Sequence, residues 1–178
     1  ATNVISGNYS HGLAPDTTDG LVIQGNYIGV GADSSTSLPN GGVGIVLTNS
    51  TDATIGGPSV EAKNIIKNNV LDGIYLGSNN DGVVIEGNNI DSNLAHGINV
   101  DGGTNINIGG TATNAGNTVS FNLSTGILLN NTSFVVVESN TVNDNANTGI
   151  QVNNSTDITI GGTATNAGNT VNGNDNNG

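Results

Sequence analysis

The chain has 178 residues, with 14 Asp and Glu against two Lys and no Arg, for a formal net charge of −12, and it contains no Cys, Met or Trp. The acidic balance excludes nucleic acid and anionic membranes as partners, because both are bound through Lys and Arg. No stretch approaches the roughly 18 apolar residues of a membrane-spanning helix, and the lack of Cys excludes a disulfide scaffold.

Taken in chain order, the sequence repeats a Gly-aliphatic dipeptide every 23–32 residues. A period of about 20–30 residues with short strands is typical of a solenoid. The six copies begin at Gly12, Gly44, Gly73, Gly97, Gly126 and Gly149.

Each period predicts three short strands. The first reads G-I-x-[LV], the second carries inward aliphatic pairs such as Val83/Ile85, and the third reads N-x-[IV], as in Asn88/Ile90. The alternation has period two, so each strand has one buried face. Strands that stack on their equivalents in the next turn make a parallel β-helix, and parallel crossovers are nearly always right-handed. The predicted fold is an all-β, right-handed, single-stranded parallel β-helix of about six coils, with residues 1–178 as one domain.

Asparagine recurs at two places in each period, five residues apart, in the motif N-x-[IV]-x-x-N. Asn is a poor strand former, so two columns of it need a cause. Stacked about 4.8 Å apart, each side-chain amide can donate to the amide carbonyl of the adjacent coil and form a ladder. The first predicted ladder comprises Asn3, Asn26, Asn64, Asn88, Asn117, Asn140 and Asn169. The second comprises Asn8, Asn69, Asn93, Asn122, Asn145 and Asn174.

The corner between the second and third strands alternates in length. Nine residues lead from Ile108 to Asn117 but three from Ile85 to Asn88, so the repeat unit is a two-coil doublet of about 53 residues. The dodecamer IGGTATNAGNTV, which occurs at 108–119 and again at 160–171, is then a long corner. Its glycines permit a tight exit from the second strand, and its other residues carry no reactive group. We interpret it as architecture rather than as a binding loop.

The runs VIQGNYIGVGADSSTSLPNGGVGIVL and IGGPSVEAKNIIKNNVLDGIYL resemble the β-helix repeats of large bacterial surface and secreted proteins, within the pectate-lyase-like superfamily. The resemblance extends over essentially the whole chain and implies an extracellular or cell-surface protein. It does not imply catalysis, because that superfamily includes lyases, hydrolases, epimerases, adhesins and purely structural solenoids.

The residues that would carry catalysis are absent or isolated. Lyases of the superfamily use Arg or Lys as a base, yet Lys63 and Lys67 fall in one coil, and the Asp-Pro-His motif of epimerases is absent. Glycosidases need two carboxylates about 5–10 Å apart, and most Asp residues here stand singly. Asp72, His96 and Thr125 stack like an acid–base–nucleophile triad, but we expect this column to lie at an exposed corner. No catalytic residue is predicted.

Calcium is a candidate cofactor, because three segments gather oxygen ligands beside glycine. None has the spacing of an EF-hand or of a calcium-binding nonapeptide repeat, so solvated turns are favoured and no metal ligand is predicted. The segments are Asp16–Gly20, Asn79–Gly82 and Asn174–Gly178.

Seven N-x-[ST] sequons occur, and each is a potential glycan acceptor. Asn8 and Asn122 belong to the second predicted ladder, where a glycan could not fit. The other five fall in the turn after the first strand and are candidate attachment sites: Asn49, Asn130, Asn131, Asn153 and Asn154.

One loop, 29–42, departs from the repeat at the corner after Ile28. Insertions of this kind often hold the binding function of a solenoid. Tyr27, Leu38 and Pro39 would then be the contact residues, with surface glycans as a candidate partner. A merely tolerated insertion is the alternative.

These patterns favour a structural or adhesive segment of an extracellular β-helix, such as a stalk, fibre or display surface, without catalytic activity. The alternative is a carbohydrate-binding or carbohydrate-active β-helix whose site is weak or outside this segment. Since the chain starts inside a third strand and stops before another first strand, we expect self-association or continuation end to end. Lys67 and Asp91 follow equivalent inward residues, so they should lie side by side.

Overall fold

The computed structural model describes residues 2–178, so Ala1 of the predicted domain lies outside the described residues. It confirms the predicted fold, a right-handed parallel β-helix of about six coils. Eighteen short strands form three parallel sheets, and residues 2–178 contain no helix. Accordingly, nothing within this part of the chain has the form of a membrane-spanning helix.

We number the strands in chain order. The first-strand sheet contains β4 (Ile45–Leu47), β7 (Ile74–Leu76), β10 (Ile98–Asp101), β13 (Ile127–Asn130) and β16 (Ile150–Asn153). The second-strand sheet contains β2 (Val22–Ile23), β5 (Thr54–Gly56), β8 (Val84–Glu86), β11 (Thr104–Gly109), β14 (Ser133–Glu138) and β17 (Thr156–Ile160). The third-strand sheet contains β1 (Asn3–Ile5), β3 (Asn26–Ile28), β6 (Ile65–Lys67), β9 (Asn89–Asp91), β12 (Thr118–Ser120), β15 (Thr141–Asn143) and β18 (Thr170–Asn172).

Every sheet pairs equivalent residues of successive coils, in the predicted register. Ile85, for example, pairs with Ile55 on one side and with Ile108 on the other. The inward aliphatic side chains of the three sheets therefore stack into a single core, in which Ile85 and most of its equivalents are fully buried. Burial of each such side chain stabilises the fold by roughly 1.5–3 kcal/mol. Successive coils therefore contribute similar amounts of stabilisation along the axis.

The corners after the second strands alternate as predicted. Each long corner starts with a glycine at positive φ, a conformation that costs glycine little. Each short corner donates its central N–H to the following long corner, as Gly87 does to the Ala115 carbonyl at 2.7 Å and Ser139 to the Ala167 carbonyl at 3.2 Å. The dodecamer is therefore an architectural element, whose alanine carbonyl accepts a hydrogen bond from the short corner of the preceding coil. The leading glycines are Gly56, Gly109 and Gly161.

The first of the six predicted first strands is not a full strand. Leu13 forms only an isolated parallel bridge with Ile45. Pro15, two residues further on, has no N–H to donate to the next rung of the ladder. The chain still follows the same path, because the Pro15 carbonyl accepts the Thr48 N–H at 3.3 Å.

Candidate functional site

The two asparagine ladders are present, and nearly all their members are buried where coils lie on both sides. Asn88 shows the geometry: its Nδ2 donates to Asn117 Oδ1 at 3.0 Å and to the Ile55 carbonyl at 2.9 Å. Its own Oδ1 accepts Asn64 Nδ2 at 2.9 Å. Every amide with a ladder neighbour on both sides thus joins three successive coils, and both ladders run the length of the described chain.

The second ladder has one member that the sequence motif missed. Asn40 is fully buried; its Nδ2 donates to Asn69 Oδ1 at 2.9 Å, and its Oδ1 accepts Asn8 Nδ2 at 2.8 Å. The insertion displaces Asn40 from the expected offset after Asn26. Counting back four residues from each Gly-aliphatic dipeptide finds it, since Gly44 then gives Asn40 as Gly73 gives Asn69.

A shorter polar stack at the turn after the first strands was also missed. Thr18 Oγ1 donates to Ser50 Oγ at 2.9 Å, and the Ser50 N–H donates to Asn80 Oδ1 at 3.1 Å. Two coils further on, Thr132 Oγ1 donates to Ser155 Oγ at 3.0 Å. The members are of mixed residue type, so no single letter marks the column in the sequence.

The outer face of the first-strand sheet carries a cluster of polar side chains around Tyr75. Tyr75 and Asn99 stand next to each other in the outward column. Asp72 lies beside them, and its carboxylate accepts the His96 backbone N–H at 2.8 Å and Asn99 Nδ2 at 3.0 Å. Burial, followed by the charges of Asp101 and Asp72, raises the pKa of the Tyr75 phenol. The phenol is therefore a neutral donor at physiological pH.

The expectation that Asp72, His96 and Thr125 lie at an exposed corner is wrong. Asp72 is 8% exposed and Thr125 is fully buried, because outward side chains fold over them. Asn99 covers Asp72, and the side-chain Oε1 of Gln151 accepts the Thr125 hydroxyl at 3.3 Å. Asp72 therefore contacts the backbone of His96 and the Asn99 amide, which is not the arrangement of a catalytic triad.

Two buried atoms on this face have no hydrogen-bond partner among residues 2–178. They are His96 Nδ1 and Asn99 Oδ1. Buried polar atoms in folded proteins are nearly always bonded to protein, water or ligand. Asn99 pairs with Tyr75 in the strand register, and the His96 backbone contacts Asp72, so both unpaired atoms belong to residues of this polar cluster.

The prediction that all five candidate sequons lie in the turn after the first strands is correct for Asn49, Asn131 and Asn154, whereas Asn130 and Asn153 are the last residues of β13 and β16. Asn153 Nδ2 donates to Asn130 Oδ1 at 2.8 Å, so these two hold each other. Asn49, Asn131 and Asn154 are more exposed and adopt positive φ. Asn49 donates to Asp16 at 2.7 Å, and Asn131 to Asp101 at 3.1 Å. Glycan attachment stays a prediction.

The acidic residues of the first two calcium candidates are bonded to amides and hydroxyls of the next coil. Asp16 accepts Thr48 Oγ1 and Asn49 Nδ2, each at 2.7 Å, and these bonds, from Asn49 first, lower the pKa of its carboxyl. Asp81 accepts Asn105 Nδ2 at 2.7 Å. Within the described residues no three His, Asp or Glu side chains come together.

The inserted loop folds on itself. Val30 and Ser37 form an antiparallel bridge, and Asp33 accepts the Thr36 N–H and hydroxyl at 2.8 and 2.6 Å. Those bonds, from the Thr36 hydroxyl first, hold the pKa of the Asp33 carboxyl well below its usual range. The loop is thus a rigid, capped hairpin.

The three predicted contact residues of this loop do not share one cleft. Tyr27 lines a cleft of about 190 Å³ with Val60, Glu61 and Lys63 of the first long corner. Leu38 is 45% exposed and lies against Gly31 of the hairpin. A binding role for Tyr27, Leu38 and Pro39 stays a prediction.

An exposed apolar ridge runs along the corner between the third and first strands. Val70, Leu94 and Leu123 are 41%, 51% and 60% exposed and follow successive ladder asparagines. The Leu94 N–H donates to the Asn69 carbonyl and the Leu123 N–H to the Asn93 carbonyl, each at 2.9 Å. Adjacent ridge residues are therefore one coil apart. We call these three residues the apolar ridge.

No protein-family model matches the chain, and no curated protein sequence is significantly similar to it. A solved structure is similar: the crystal structure of a mutant of the periplasmic alginate epimerase AlgG, with a TM-score of 0.68 and 18% identity. The match covers 97% of this chain but 44% of the epimerase chain, so this chain spans less than half the length of that protein. At this identity the likeness shows the β-helix fold.

Proposed function

We propose that the chain is a rigid structural segment of an extracellular or cell-surface protein, which spaces or displays other groups. The observation that carries the proposal is the continuity of both ladders. The second ladder passes through the inserted hairpin without a break, because Asn40 takes the expected place between Asn8 and Asn69. A chain whose successive coils are hydrogen-bonded to each other at every step is suited to resist bending along its axis.

The apolar ridge supports an adhesive part of this role. Contiguous exposed apolar side chains mark interaction surfaces, and Val70, Leu94 and Leu123 are aligned along the axis. The rest of the molecule carries a net charge of −12. The partner that fits is therefore a surface with an apolar strip flanked by basic groups, since charge complementarity then adds to apolar burial.

Retention on a phenyl resin in high salt tests the ridge. The double substitution Leu94→Ser and Leu123→Ser should shorten retention, whereas Val60→Ser, which removes a 78% exposed side chain from a long corner, should have a smaller effect. Equal effects of the two variants would remove the ridge from the proposal.

Incubation with alginate and with polygalacturonate tests the structural role. We expect neither ultraviolet-absorbing unsaturated product nor a change in uronate stereochemistry by proton NMR. Turnover of either polymer by the purified chain would overturn the proposal.

A carbohydrate-binding role is the second candidate function, and one observation favours it. The two buried atoms without a partner in residues 2–178, His96 Nδ1 and Asn99 Oδ1, belong to residues that adjoin Asp72 and Tyr75 respectively. An aromatic ring with adjacent polar groups is a usual arrangement for a sugar ring. The structurally similar epimerase acts on alginate, which makes uronate oligomers the first probes.

Titration with alginate oligosaccharides, followed by NMR, tests this second role. Shifts confined to residues near Tyr75, and their loss in Tyr75→Ala but not in Tyr27→Ala, would support it. The absence of shifts at millimolar ligand would exclude it.

A further inference from the structure

The second-strand sheet contains a column in which long polar side chains alternate with glycines. Gln24, Glu86 and Glu138 follow the last inward aliphatic residue of the second strands that lead into short corners, whereas glycine takes this position before long corners. The register places Glu86 between two of these glycines, Gly56 and Gly109. Each long side chain therefore lies beside a residue that has no side chain of its own.

The three long side chains reach the same place on the next coil. Gln24 Nε2 lies 3.1 Å from the position that a Cβ would occupy on Gly57. Glu86 Oε2 lies 3.4 Å from the corresponding position on Gly110, and Glu138 Oε2 lies 3.5 Å from that on Gly162. The carboxyl oxygens of the two glutamates therefore lie at nearly the same distance from the Cβ position on the second glycine of their long corner as the Gln24 amide nitrogen does.

Gln24 makes a bond there that an ionised glutamate cannot make. Its Nε2 donates to the Gly56 carbonyl at 2.7 Å and so links two coils. A carboxylate has no proton to donate, whereas a neutral carboxyl group has one O–H. We propose that Glu86 and Glu138 are acid-operated latches, whose neutral carboxyl groups donate to the carbonyls of Gly109 and Gly161 as Gln24 donates to Gly56.

The charges around Glu86 are few. The long corner on one side contributes Glu61 and Lys63, and the long corner on the other side, 110–116, contains no titratable side chain. The adjoining strands β5 and β11 contain none either. Burial raises the pKa of the Glu86 carboxyl, which favours the neutral form that the latch requires.

Glu138 has a similar setting. The corners on either side of it, 110–116 and 162–168, lack titratable side chains, and the strand beyond it contributes Asp157 near its opposite end. The two latches are 52 residues apart, so two successive doublets carry one each, whereas the first doublet has Gln24 at this position.

The sign of the pH effect follows from the raised pKa. The folded chain takes up the Glu86 proton at a higher pH than the unfolded chain does, so this group favours folding increasingly as the pH falls. The gain begins near the raised folded pKa and is complete below the ordinary value of 4.5. In acid, the latch opposes the loss of stability that comes from Asp16 and Asp33, whose pKa values are lowered.

Thermal unfolding of the full chain from pH 7 to pH 4 tests the proposal. Glu86→Gln carries a permanent donor, so its midpoint at pH 7 should exceed that of the wild type by about 2–4 °C, the effect of one ordinary hydrogen bond in a chain of this length. The difference should shrink toward pH 4. Glu86→Ala should give no such rise, and Glu86→Gln matching Glu86→Ala at both pH values would overturn the latch.

Gln24→Glu provides the converse test, which does not depend on the behaviour of Glu86 variants. This substitution should lower the thermal unfolding midpoint at pH 7, and the midpoint should return to the wild-type value at pH 4. A loss that is independent of pH would show that Gln24 acts through packing alone, and it would count against the same mechanism at Glu86 and Glu138.

Discussion

A ladder asparagine uses its amide more fully than any other side chain could. Asn117 Nδ2 donates to Asn140 Oδ1 at 2.9 Å and to the Ile85 carbonyl at 2.8 Å, while its Oδ1 accepts the Asn88 amide and backbone N–H, both at 3.0 Å. An aspartate side chain has no N–H donor when ionised, and a leucine side chain has neither a donor nor an acceptor. The residue type is set by this bonding, against the low strand propensity of asparagine.

Replacing Asn117 with Leu should therefore destabilise the chain. The change leaves the buried Asn88 backbone N–H without its acceptor and removes one hydrogen bond each from Asn140 Oδ1 and the Ile85 carbonyl, which costs about 1–3 kcal/mol. Urea unfolding followed by circular dichroism measures the loss. Asn107→Leu is the matched control, because Asn107 points outward in β11 and is exposed; its change should stay within about 0.5 kcal/mol. Equal losses would show that the ladder contributes no more than surface asparagines do.

The two ladders could be predicted from the sequence because their five-residue offset recurs. Asn40 was not predicted as a ladder member, because the insertion lengthens its distance in sequence from Asn26 beyond five residues. The surroundings of Asp72 were predicted wrongly for a different reason. Periodicity gives the direction in which a side chain points but does not show that Asn99 folds over the carboxylate. Contacts between outward side chains depend on rotamers, and no sequence pattern encodes them.

At the scale of elements, the strands are short and the corners hold them at fixed spacing. The two copies of the dodecamer have the same sequence but unequal surroundings. A Cβ on Gly116 would lie 1.9 Å from the Ser139 carbonyl oxygen, whereas a Cβ on Gly168 would meet nothing within 4 Å. Gly168 belongs to the final coil of this chain, so no short corner packs against it.

Gly116→Ala and Gly168→Ala should consequently behave differently in the 178-residue chain. The first must displace the backbone of a neighbouring corner and should lower the free energy of unfolding by roughly 1–3 kcal/mol, the usual cost of overpacking. The second should have little effect. Thermal unfolding of both variants checks this, and similar midpoints would contradict the packing described for the long corners.

The predicted contact between adjacent third strands is also confirmed. Lys67 Nζ lies 3.0 Å from Asp91 Oδ2, with the two side chains 25% and 20% exposed. Because the pair is partly solvated, Lys67→Ala should cost at most about 1 kcal/mol, and less in high salt. Unfolding in low and high salt measures both effects. A larger loss that salt does not reduce would indicate that the aliphatic stem of Lys67 matters more than its charge.

At the scale of the whole molecule, the repeat unit is the doublet. A short corner needs a long corner after it, because the Gly87 N–H donates to the Ala115 carbonyl. Deleting residues 98–149 removes 52 residues and brings the second copy of the dodecamer to the same place, where Ala167 replaces Ala115. Deleting residues 98–126 removes 29 residues and places two short corners in succession.

The doublet deletion should thus fold with its corner bonds intact and shorten the axis by about 10 Å, the height of two coils. The one-coil deletion is longer but leaves the Gly87 N–H without its acceptor. We expect the one-coil variant to unfold at a lower temperature despite its greater length. Small-angle scattering and thermal unfolding of both variants test this; a higher midpoint for the one-coil variant would show that coil number outweighs corner alternation.

The identity of the two dodecamers also bears on how the chain reaches its native register. Segment 160–171 can dock where 108–119 belongs, a slip of two coils that preserves every corner bond. Features that occur once prevent this error, and both the inserted hairpin and the Lys67–Asp91 pair lie between residues 29 and 91. Since non-local parallel pairing is slow, we expect β3–β9 to assemble first and serve as the template. Pulsed hydrogen exchange during refolding should show these strands protected before β12–β18. Earlier protection of β12–β18 would contradict this order, and folding from that end would populate chains in which the coils are trapped in the slipped register.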